Sequence, residues 1–520
     1  MKTILPPGKV PWDVIADLVG GALPPEVRLG PAAGEDAALV MMGGELWAVA
    51  SDPITFTADN AGRLAVIVNA NDVAVRGARP RYFLAVGLIA PSEASEDRVH
   101  ELLRQVRDAC DEVGAVLIGG HTEITPGLSH SIIVGTMLGR VEGRPLTTSG
   151  LCDGDLVGMT RSAGLEGTAI LLADHGDRLR ALHDGGVFDG AGEILDAGWL
   201  LVAHEALRAA ACDGVSALHD VTEGGVGEAL YEIAKASGLA LEVDREHIPV
   251  RPETLAICAD LGIDPLGLIG SGSLLLGCSR DGAAEVEGVF ADMGIPFSWI
   301  GRARNSPAPS TTVARFPRDE ILKTHLMDGV RAVIFDMDGT LVDSTYNWPT
   351  IRKDLDITGA SIIDELNGLP EPERTARWAE LEAIEARATD SATVHSGAPE
   401  LLGLLVEKGL ATALVTNNNE ANTRRLLDRF GLDFDLVLTR DSGFWKPSGA
   451  PIAEAARRLG FPPDQCLGVG DSHYDILAAR DAGLRAVCMV NDGAAKHNGD
   501  ADLSFANIPA FVRYLRVVLP

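Results

Sequence analysis

Two aspartates two residues apart, Asp336 and Asp338, close an apolar run in VRAVIFDMDGTLVDS (Val330–Ser344). On an extended chain, residues two apart share a face, so both carboxylates can point at one phosphate. That pairing suits covalent phosphoryl chemistry: Asp336 attacks phosphorus, and Asp338 protonates the leaving oxygen and later activates water. Gly339 lets the chain turn sharply after the run and is a candidate for lying beside the substrate.

Three later segments carry the remaining groups. TALVTNN (Thr412–Asn418) is an apolar run ending in a hydroxyl and amides, so Thr416 can hold phosphoryl oxygens, with Asn417 beside it. Lys446 in FWKPS supplies a fixed positive charge. CLGVGDSHYD (Cys466–Asp475) brings Asp471, and Asp475 one helical turn later. Asp336, Asp471 and the main-chain carbonyl of Asp338 form an oxygen set of the kind Mg²⁺ prefers, with Asp475 supporting the metal or orienting Lys446. Taken singly, each acidic residue also fits a loop or an N-cap; four such segments in this order argue for chemistry.

These side chains need an open parallel sheet, because its strand C-termini gather ligand-binding groups at one edge. The runs VRAVIF, TALV and LGVG are the predicted strands. Between Asp343 and His395 lie about fifty residues of helical character, including Pro372–Ala388. Trp348, Arg352, Arg374 and Arg377 there are candidates for substrate contact or for surface packing.

Order, spacing and residue types over Val330–Pro520 resemble the haloacid dehalogenase superfamily. Aspartate at position 338 is similar to its phosphatases, and the helical insertion is similar to a small cap. The resemblance implies a Rossmann-like domain over 329–520, with a cap at about 345–395, acting on phosphomonoesters with Mg²⁺.

Upstream, acidic residues recur beside small and turn residues in GEDAA, SDPITF, NANDVAVRGARP, GGHTEIT and HDVTEGGVGEAL. Asp36, Asp52, Asp72 and Glu123 could together hold divalent metals bridging a triphosphate. Gly119 and Gly120, and Gly224 and Gly225, permit close backbone approach to phosphates. Each stretch alone also reads as a turn or cap, and no G-x-x-x-x-G-K-[ST] loop occurs. Predicted helices cover Leu64–Arg76, Ser95–Val113 and Gly225–Ser237. Predicted strands cover Glu45–Ala50, Phe83–Ile89, Ala115–Ile118, Ser131–Leu138 and Ser273–Gly277.

About Pro11 to Arg302 resembles the superfamily of aminoimidazole ribonucleotide (AIR) synthetase, thiamine-monophosphate kinase, selenophosphate synthetase and the nitrile-forming hydrogenase maturation factor. NDVAVRGARP, GGHTEIT, DVTEGGVGEALYEIAKASGLALEVDREHIPV and IDPLGLIGSGSLLL carry the likeness. It implies a dimerising, ATP-binding domain over 1–150 and a second domain over 151–305 that completes the site. It also implies ATP with Mg²⁺ at Asp36, Asp52, Asp72 and Glu123, helped by Asn71, Gly119, Gly120, His121, Asp220 and Glu223. His121 stands where some relatives carry Asp or Glu, as a ligand or as a plain loop histidine. This unit lacks the maturation factor's cysteine tail and has no cysteine before Cys110, which argues against nitrile assembly and selenium chemistry.

The expected fold class is therefore α/β and α+β multidomain, with Pro/Ser/Thr-rich residues 306–328 as linker. The expected function is bifunctional: ATP-dependent phosphorylation or activation of a small metabolite, and hydrolysis of a phosphomonoester. The alternative is a phosphatase whose N-terminal unit only binds nucleotide and dimerises. A formal charge of −30, from 74 acidic against 44 basic residues, disfavours nucleic acid and anionic membranes as partners. Small phosphorylated metabolites and ATP remain, since bound Mg²⁺ reverses the local sign. Seven scattered cysteines and no long apolar run predict a reduced, cytosolic chain without a membrane span, and the resemblance of the N-terminal unit implies a homodimer.

Overall fold

The computed structural model describes residues 8–55, 60–183, 186–195, 197–359, 361–490 and 501–520. Two compact units emerge: Met1–Cys258 with Ile263–Leu322, and Ala259–Gly262 with Lys323–Pro520.

The first unit holds two sheets. One is seven-stranded, in the order Val27–Leu29, Ala38–Met42, Glu45–Ala50, Ile132–Val141, Ala78–Ile89, Val116–Ile124, with Pro53–Ile54 also pairing Ile132–Val141. Helix Ala61–Ala74 packs on it. Its sequence, AGRLAVIVNANDVA, is small and apolar all round, so nearly every residue is buried. Contact is close enough that a Cβ at Gly135 would stand 2.5 Å from Asn69 Nδ2. This packing carries the polar Asn69, Asn71 and Asp72 into the interior. The second sheet has six strands, in the order Ser310–Thr311, Ala240–Val243, Phe297–Arg304, Leu156–Thr160, Leu274–Cys278, Val215–Asp220. Helix Gly225–Ser237 covers it through Val226, Leu230 and Ile233.

Residues 306–328, expected as a linker, are instead built largely into this unit. Ser310–Thr311 pairs in parallel with Ala240–Val243, and Thr312 bonds both main-chain groups of Val243. Val313 is buried, Arg315 makes three hydrogen bonds to Glu228, and Asp319 accepts from the main chain of Gly224, Ile269 and Ile321. The Pro/Ser/Thr composition marks irregular backbone, but a few anchoring side chains suffice to dock it.

The second unit is a parallel sheet in the order Leu436–Leu438, Ala411–Val415, Ala332–Phe335, Cys466–Gly470, Ala486–Val490, Leu503–Phe505. Ala332–Phe335 is buried throughout, as a central parallel strand requires. The chain leaves it in both directions, so the sheet opens a crevice at its C-terminal edge. Helices Trp348–Asp354, Ile362–Gly368 and Glu373–Ser391 form the cap, around Ile351, Leu355, Leu366 and Leu381. An antiparallel pair, Val342–Asp343 with Thr393–Val394, ties the two ends of this insertion together. The fold is therefore mixed α/β and α+β multidomain.

Candidate active sites

Three strand ends of the second unit deliver the predicted groups to one crevice. Asp336 follows Ala332–Phe335, Thr416 follows Ala411–Val415 and Asp471 follows Cys466–Gly470. Lys446 Nζ donates to Asp336 Oδ1 and, at 2.6 Å, to Asp475 Oδ1. Thr340 Oγ1 bridges Asp336 Oδ2 at 3.2 Å and Asp471 Oδ1 at 3.3 Å. Asp475 closes a capping box with Ser472, which fixes its rotamer at the start of helix His473–Asp481.

Asp338 faces a different set. Ser344 Oγ donates to its Oδ1; Thr416 Oγ1 at 3.4 Å and Asn418 Nδ2 at 3.3 Å approach Oδ2. Burial raises the Asp338 pKa, against those hydrogen bonds. Burial also holds Asp336 well above the usual carboxylate range, despite the pull of Lys446, and brings Asp471 to about 7. Four carboxylates here face one ammonium. Such a cluster is unstable when dry unless protons or a cation balance it. Among the described residues, Asp336, Asp471 and Asp475 each offer an oxygen within 4.8 Å of the others. That donor set fits a hard divalent cation. Asp338 spends its side chain on hydroxyl and amide donors, which is compatible with the expectation that only its main-chain carbonyl is a ligand.

Two expected substrate contacts take other roles. Asn417, in the lining of the cavity, directs its carboxamide at the main chain of Lys446, accepting from its N–H at 2.8 Å and donating to its C=O at 3.0 Å. Gly339 has φ of +88°, and a Cβ there would lie 2.3 Å from Asp471 Oδ2, so its function is to let two loops meet. Gly339→Ala is expected to cost the C-terminal unit about 1–2 kcal/mol from backbone strain alone, with further loss from displacing Asp471. Denaturant melts of the two proteins check this.

A cavity of about 580 Å³ leads from these groups under the cap. Tyr346, Trp348, Arg352, Ile362 and Leu381 line it beyond the carboxylates. Arg374 and Arg377 pair with Glu371 and Glu380, outside the lining of this cavity. Thr340, Ser344, Asn418, Glu385 and Arg440 went unassigned in the sequence. The first three lie inside the quoted motifs, whereas Glu385 and Arg440 belong to no local pattern.

In the first unit, Asp36, Asp52, Asp72 and Asp220 lie close enough to repel one another. Asp72 and Asp220 are buried, and Asp72 Oδ2 and both oxygens of Asp220 receive no hydrogen bond. Burial first, then the charges of Asp52, Asp220 and Asp36, hold Asp72 well above the usual range; Asp220 is pushed up to about 7. Two cations are engaged at Asp36, where Arg76 donates at 2.8 Å and His219 Nδ1 lies at 2.8 Å, while Lys9 pairs with Glu232 at 3.0 Å. The His219 imidazole also meets Glu232 at 3.2 Å, and these carboxylates lift its pKa to about 10 against burial. Buried carboxylate oxygens without donors suit a divalent cation.

The remaining predictions diverge from this cluster. Asn71 donates to Leu200 O and accepts from Val202 N, so its carboxamide holds a loop. Gly119, Gly120, His121 and Glu123 lie on Val116–Ile124, an exposed edge strand. Gly120 is needed there because a Cβ would strike Ala85 O at 1.8 Å. His121 and Glu123 bond each other at 3.2 Å rather than the aspartates. Strand pairing overrode the loop expected from the double glycine. Gly224 N already donates to Asp319, at 2.7 Å. Glu223 stays near the cluster: burial raises its pKa, and Lys9, Asp52 and Glu232 act on it.

The geometry thus defines a carboxylate-rich hydrolase site on a capped parallel sheet, joined to a separate acidic site. Family models match in the same order: AIR synthase related protein N-terminal domain at 34–141, its C-terminal domain at 153–314, and haloacid dehalogenase-like hydrolase at 355–483. The chain is an enzyme that fuses an AIR synthase-related unit to a haloacid dehalogenase-like hydrolase domain. The hydrolase match begins after Asp336 and Asp338, which stand on geometry.

Carbamoyl dehydratase HypE of Escherichia coli is 29% identical over 243 residues, 45% of this chain and 67% of that protein. A putative hydrogenase expression/formation protein of Methanocaldococcus jannaschii is 27% identical over 232 residues, 44% of this chain and 66% of that one. The chain thus spans about two thirds of their length. An uncharacterized hydrolase of Saccharomyces cerevisiae is 29% identical over 170 residues, 31% of this chain and 78% of that protein. The HypE–HypF complex structure is 23% identical, covering 59% of this chain and 98% of that one with a TM-score of 0.46. No helix among the described residues is long and apolar enough to cross a membrane.

Proposed function

We propose that the chain is bifunctional, with a phosphomonoesterase in its C-terminal unit and an ATP-using activity in its N-terminal unit. The observation that carries the first half is the convergence of Asp336, Asp471 and Asp475 on one point, with Lys446 on two of them. Asp336 Oδ attacks phosphorus and the ester P–O bond breaks. The leaving oxygen takes its proton from Asp338, whose pKa burial raises, the direction that a general acid needs. Asp338 then deprotonates a water that attacks the aspartyl-phosphate, which releases phosphate and restores the Asp336 carboxylate and the Asp338 acid. Lys446 balances the charge on Asp336, and the Thr416 hydroxyl is placed to turn from Asp338 to the phosphoryl oxygens. Mg²⁺ held by Asp336, Asp471, Asp475 and the Asp338 carbonyl would offset the remaining negative charge. The cavity has the size of a small-molecule site, which suits a small phosphorylated metabolite.

For the N-terminal unit, the unsatisfied oxygens of Asp72 and Asp220 support a site for ATP with divalent cations, with Asp36, Asp52 and Glu223 alongside. Release of phosphate from a panel of monoesters by the full chain, with ADP release measured in parallel on candidate metabolites, tests both halves. Magnesium-dependent phosphate release is expected from at least one ester; none across the panel would rule out the phosphatase.

The edge strand supports a second copy of this chain as partner. Val116, Ile118 and Ile124 on it are 58%, 53% and 60% exposed, which is unusual for an unpaired apolar edge. Ile118→Lys is expected to convert a dimer to a monomer by sedimentation. A wild type that is monomeric at micromolar concentration would refute this.

A further inference from the structure

One buried ion pair of the second unit belongs to no step above. Glu385, on the cap helix Glu373–Ser391, meets Arg440 in the loop after Leu436–Leu438. Both guanidinium nitrogens take part, with Nη2 at 2.8 Å from Glu385 Oε2, and both side chains are 6% exposed. A pair this deep gains little net stability, because desolvation offsets most of the attraction. Its value lies in geometry, since a planar fork holds a carboxylate in one orientation.

The contacts of Arg440 lead to the catalytic lysine. Its Nη1 donates to Asn417 O at 3.2 Å, and its main-chain N–H donates to Asn418 O at 3.1 Å. Trp378 of the same cap helix lies 5.0 Å from the guanidinium carbon, and Asn419 Nδ2 donates to Glu385 at 3.3 Å. The cap pair therefore grips the loop Asn417–Asn419 at three successive residues. From there Asn417 holds Lys446 through two hydrogen bonds, and Lys446 holds Asp336 and Asp475. The cap makes other polar contacts nearby: Trp445 Nε1, beside Lys446, donates to Asp364 at 2.8 Å on the exposed side, and Asn418 Nδ2 donates to Tyr346 Oη at 3.3 Å, but neither reaches the Asn417 carboxamide that holds the Lys446 main chain.

We infer that Glu385 and Arg440 are positioning residues: the cap sets the place of the Lys446 ammonium through Arg440 and Asn417, so the charge on the nucleophile is correctly balanced only with the cap docked. This rests on the phosphatase reading for its catalytic consequence, but not for its geometry. A relay of this kind makes turnover depend on cap docking without a cap residue touching the phosphate. It also places selection by the cap upstream of chemistry.

The test uses the full chain and four variants: Glu385→Gln, Arg440→Lys, Asn417→Ala and the Glu385→Gln/Asn417→Ala double. Two readouts are taken: acetylation of Lys446 by acetic anhydride, followed by peptide mass spectrometry, and magnesium-dependent hydrolysis of p-nitrophenyl phosphate. Glu385→Gln is expected to speed Lys446 acetylation about 10-fold and to lower kcat about 10-fold, with KM within about 2-fold. Arg440→Lys keeps the charge but loses the fork, and is expected to behave alike, which guards against misfolding of the first variant. The double variant should match Asn417→Ala alone in both readouts, because the path is already cut. Additive effects, or folded Glu385→Gln and Arg440→Lys proteins with wild-type labelling of Lys446, would overturn the relay. A raised KM at constant kcat would assign Glu385 to substrate binding instead. A wild type that hydrolyses no ester, yet shows the expected labelling pattern, would sink the phosphatase and leave the relay standing.

Discussion

Replacing Asp336 with Asn is expected to cut phosphomonoester turnover by on the order of 10⁴-fold, while ADP release by the N-terminal unit stays at its wild-type rate. The substitution is nearly isosteric, but an amide oxygen is a poor nucleophile and the amide nitrogen brings a donor towards a site built for acceptors. Lys446 keeps Asp475 at 2.6 Å as a partner, so the ammonium is not orphaned. One fewer buried carboxylate also relieves the crowd of Asp338, Asp471 and Asp475, whose repulsion adds to the rise in the Asp336 pKa. The variant is therefore expected to melt no lower than wild type without metal. Phosphate release, ADP release and a thermal melt on one preparation check all three. Residual phosphatase above a few per cent would remove Asp336 as nucleophile, and loss of both activities would contradict separable sites.

Asp72→Asn is expected to act in opposite directions on stability and activity. Asp72 and Asp220 are buried with oxygens that no donor reaches, and both have raised folded-state pKa values. A carboxyl titrates near 4 when unfolded. Below that pH both states are protonated and the pair costs nothing. As pH rises from about 4 towards the Asp220 value of about 7, the unfolded chain gives up protons that the folded chain retains, so metal-free stability falls. Above about 7 the Asp220 part of the penalty is fully present, on the order of a few kcal/mol, and Asp72 adds to it in the same direction. Asn removes part of it, so with chelator at pH 8 the variant should melt above wild type, and at pH 4 the two should converge. Mg²⁺ should raise the wild-type midpoint and leave the variant's nearly unchanged, since ligands that bind only the folded state stabilise it. ATP consumption should fall about 100-fold or more, the scale of losing a metal ligand or its support. A variant less stable than wild type at pH 8 without metal would show that Asp72 is satisfied by the protein itself.

The two acidic sites differed in how much of them the sequence disclosed. In the C-terminal unit Asp336, Thr416 and Asp471 each directly follow an apolar strand, and parallel strands end at the same edge. Local order therefore implied spatial convergence, and Asp336, Thr416, Lys446, Asp471 and Asp475 do line one cavity. In the N-terminal unit, Asp36, Asp52, Asp72 and Asp220 come from a loop, the link between two strands, the last turn of a buried helix and the end of a strand in the other sheet. Nothing local links those positions. GGHTEIT looked like a phosphate loop because paired glycines usually free the backbone, yet Gly120 is there to lie against Ala85 O in a paired strand.

Residue types and strand-end spacing by themselves determined the two chemistries, the parallel sheet of the hydrolase and its helical insertion, since each depends on the alternation and turn preferences of short segments. Only the tertiary structure decided which amides face the reaction. Asn417 and Asn418 are adjacent and chemically identical, but one holds Lys446 and the other reaches Asp338. It also decided that residues 310–322 dock on the first unit, and that Glu385 joins Arg440 across 55 residues of chain. Those outcomes depend on contacts between distant segments, where the free energy of burial and pairing, rather than local preference, selects the partner.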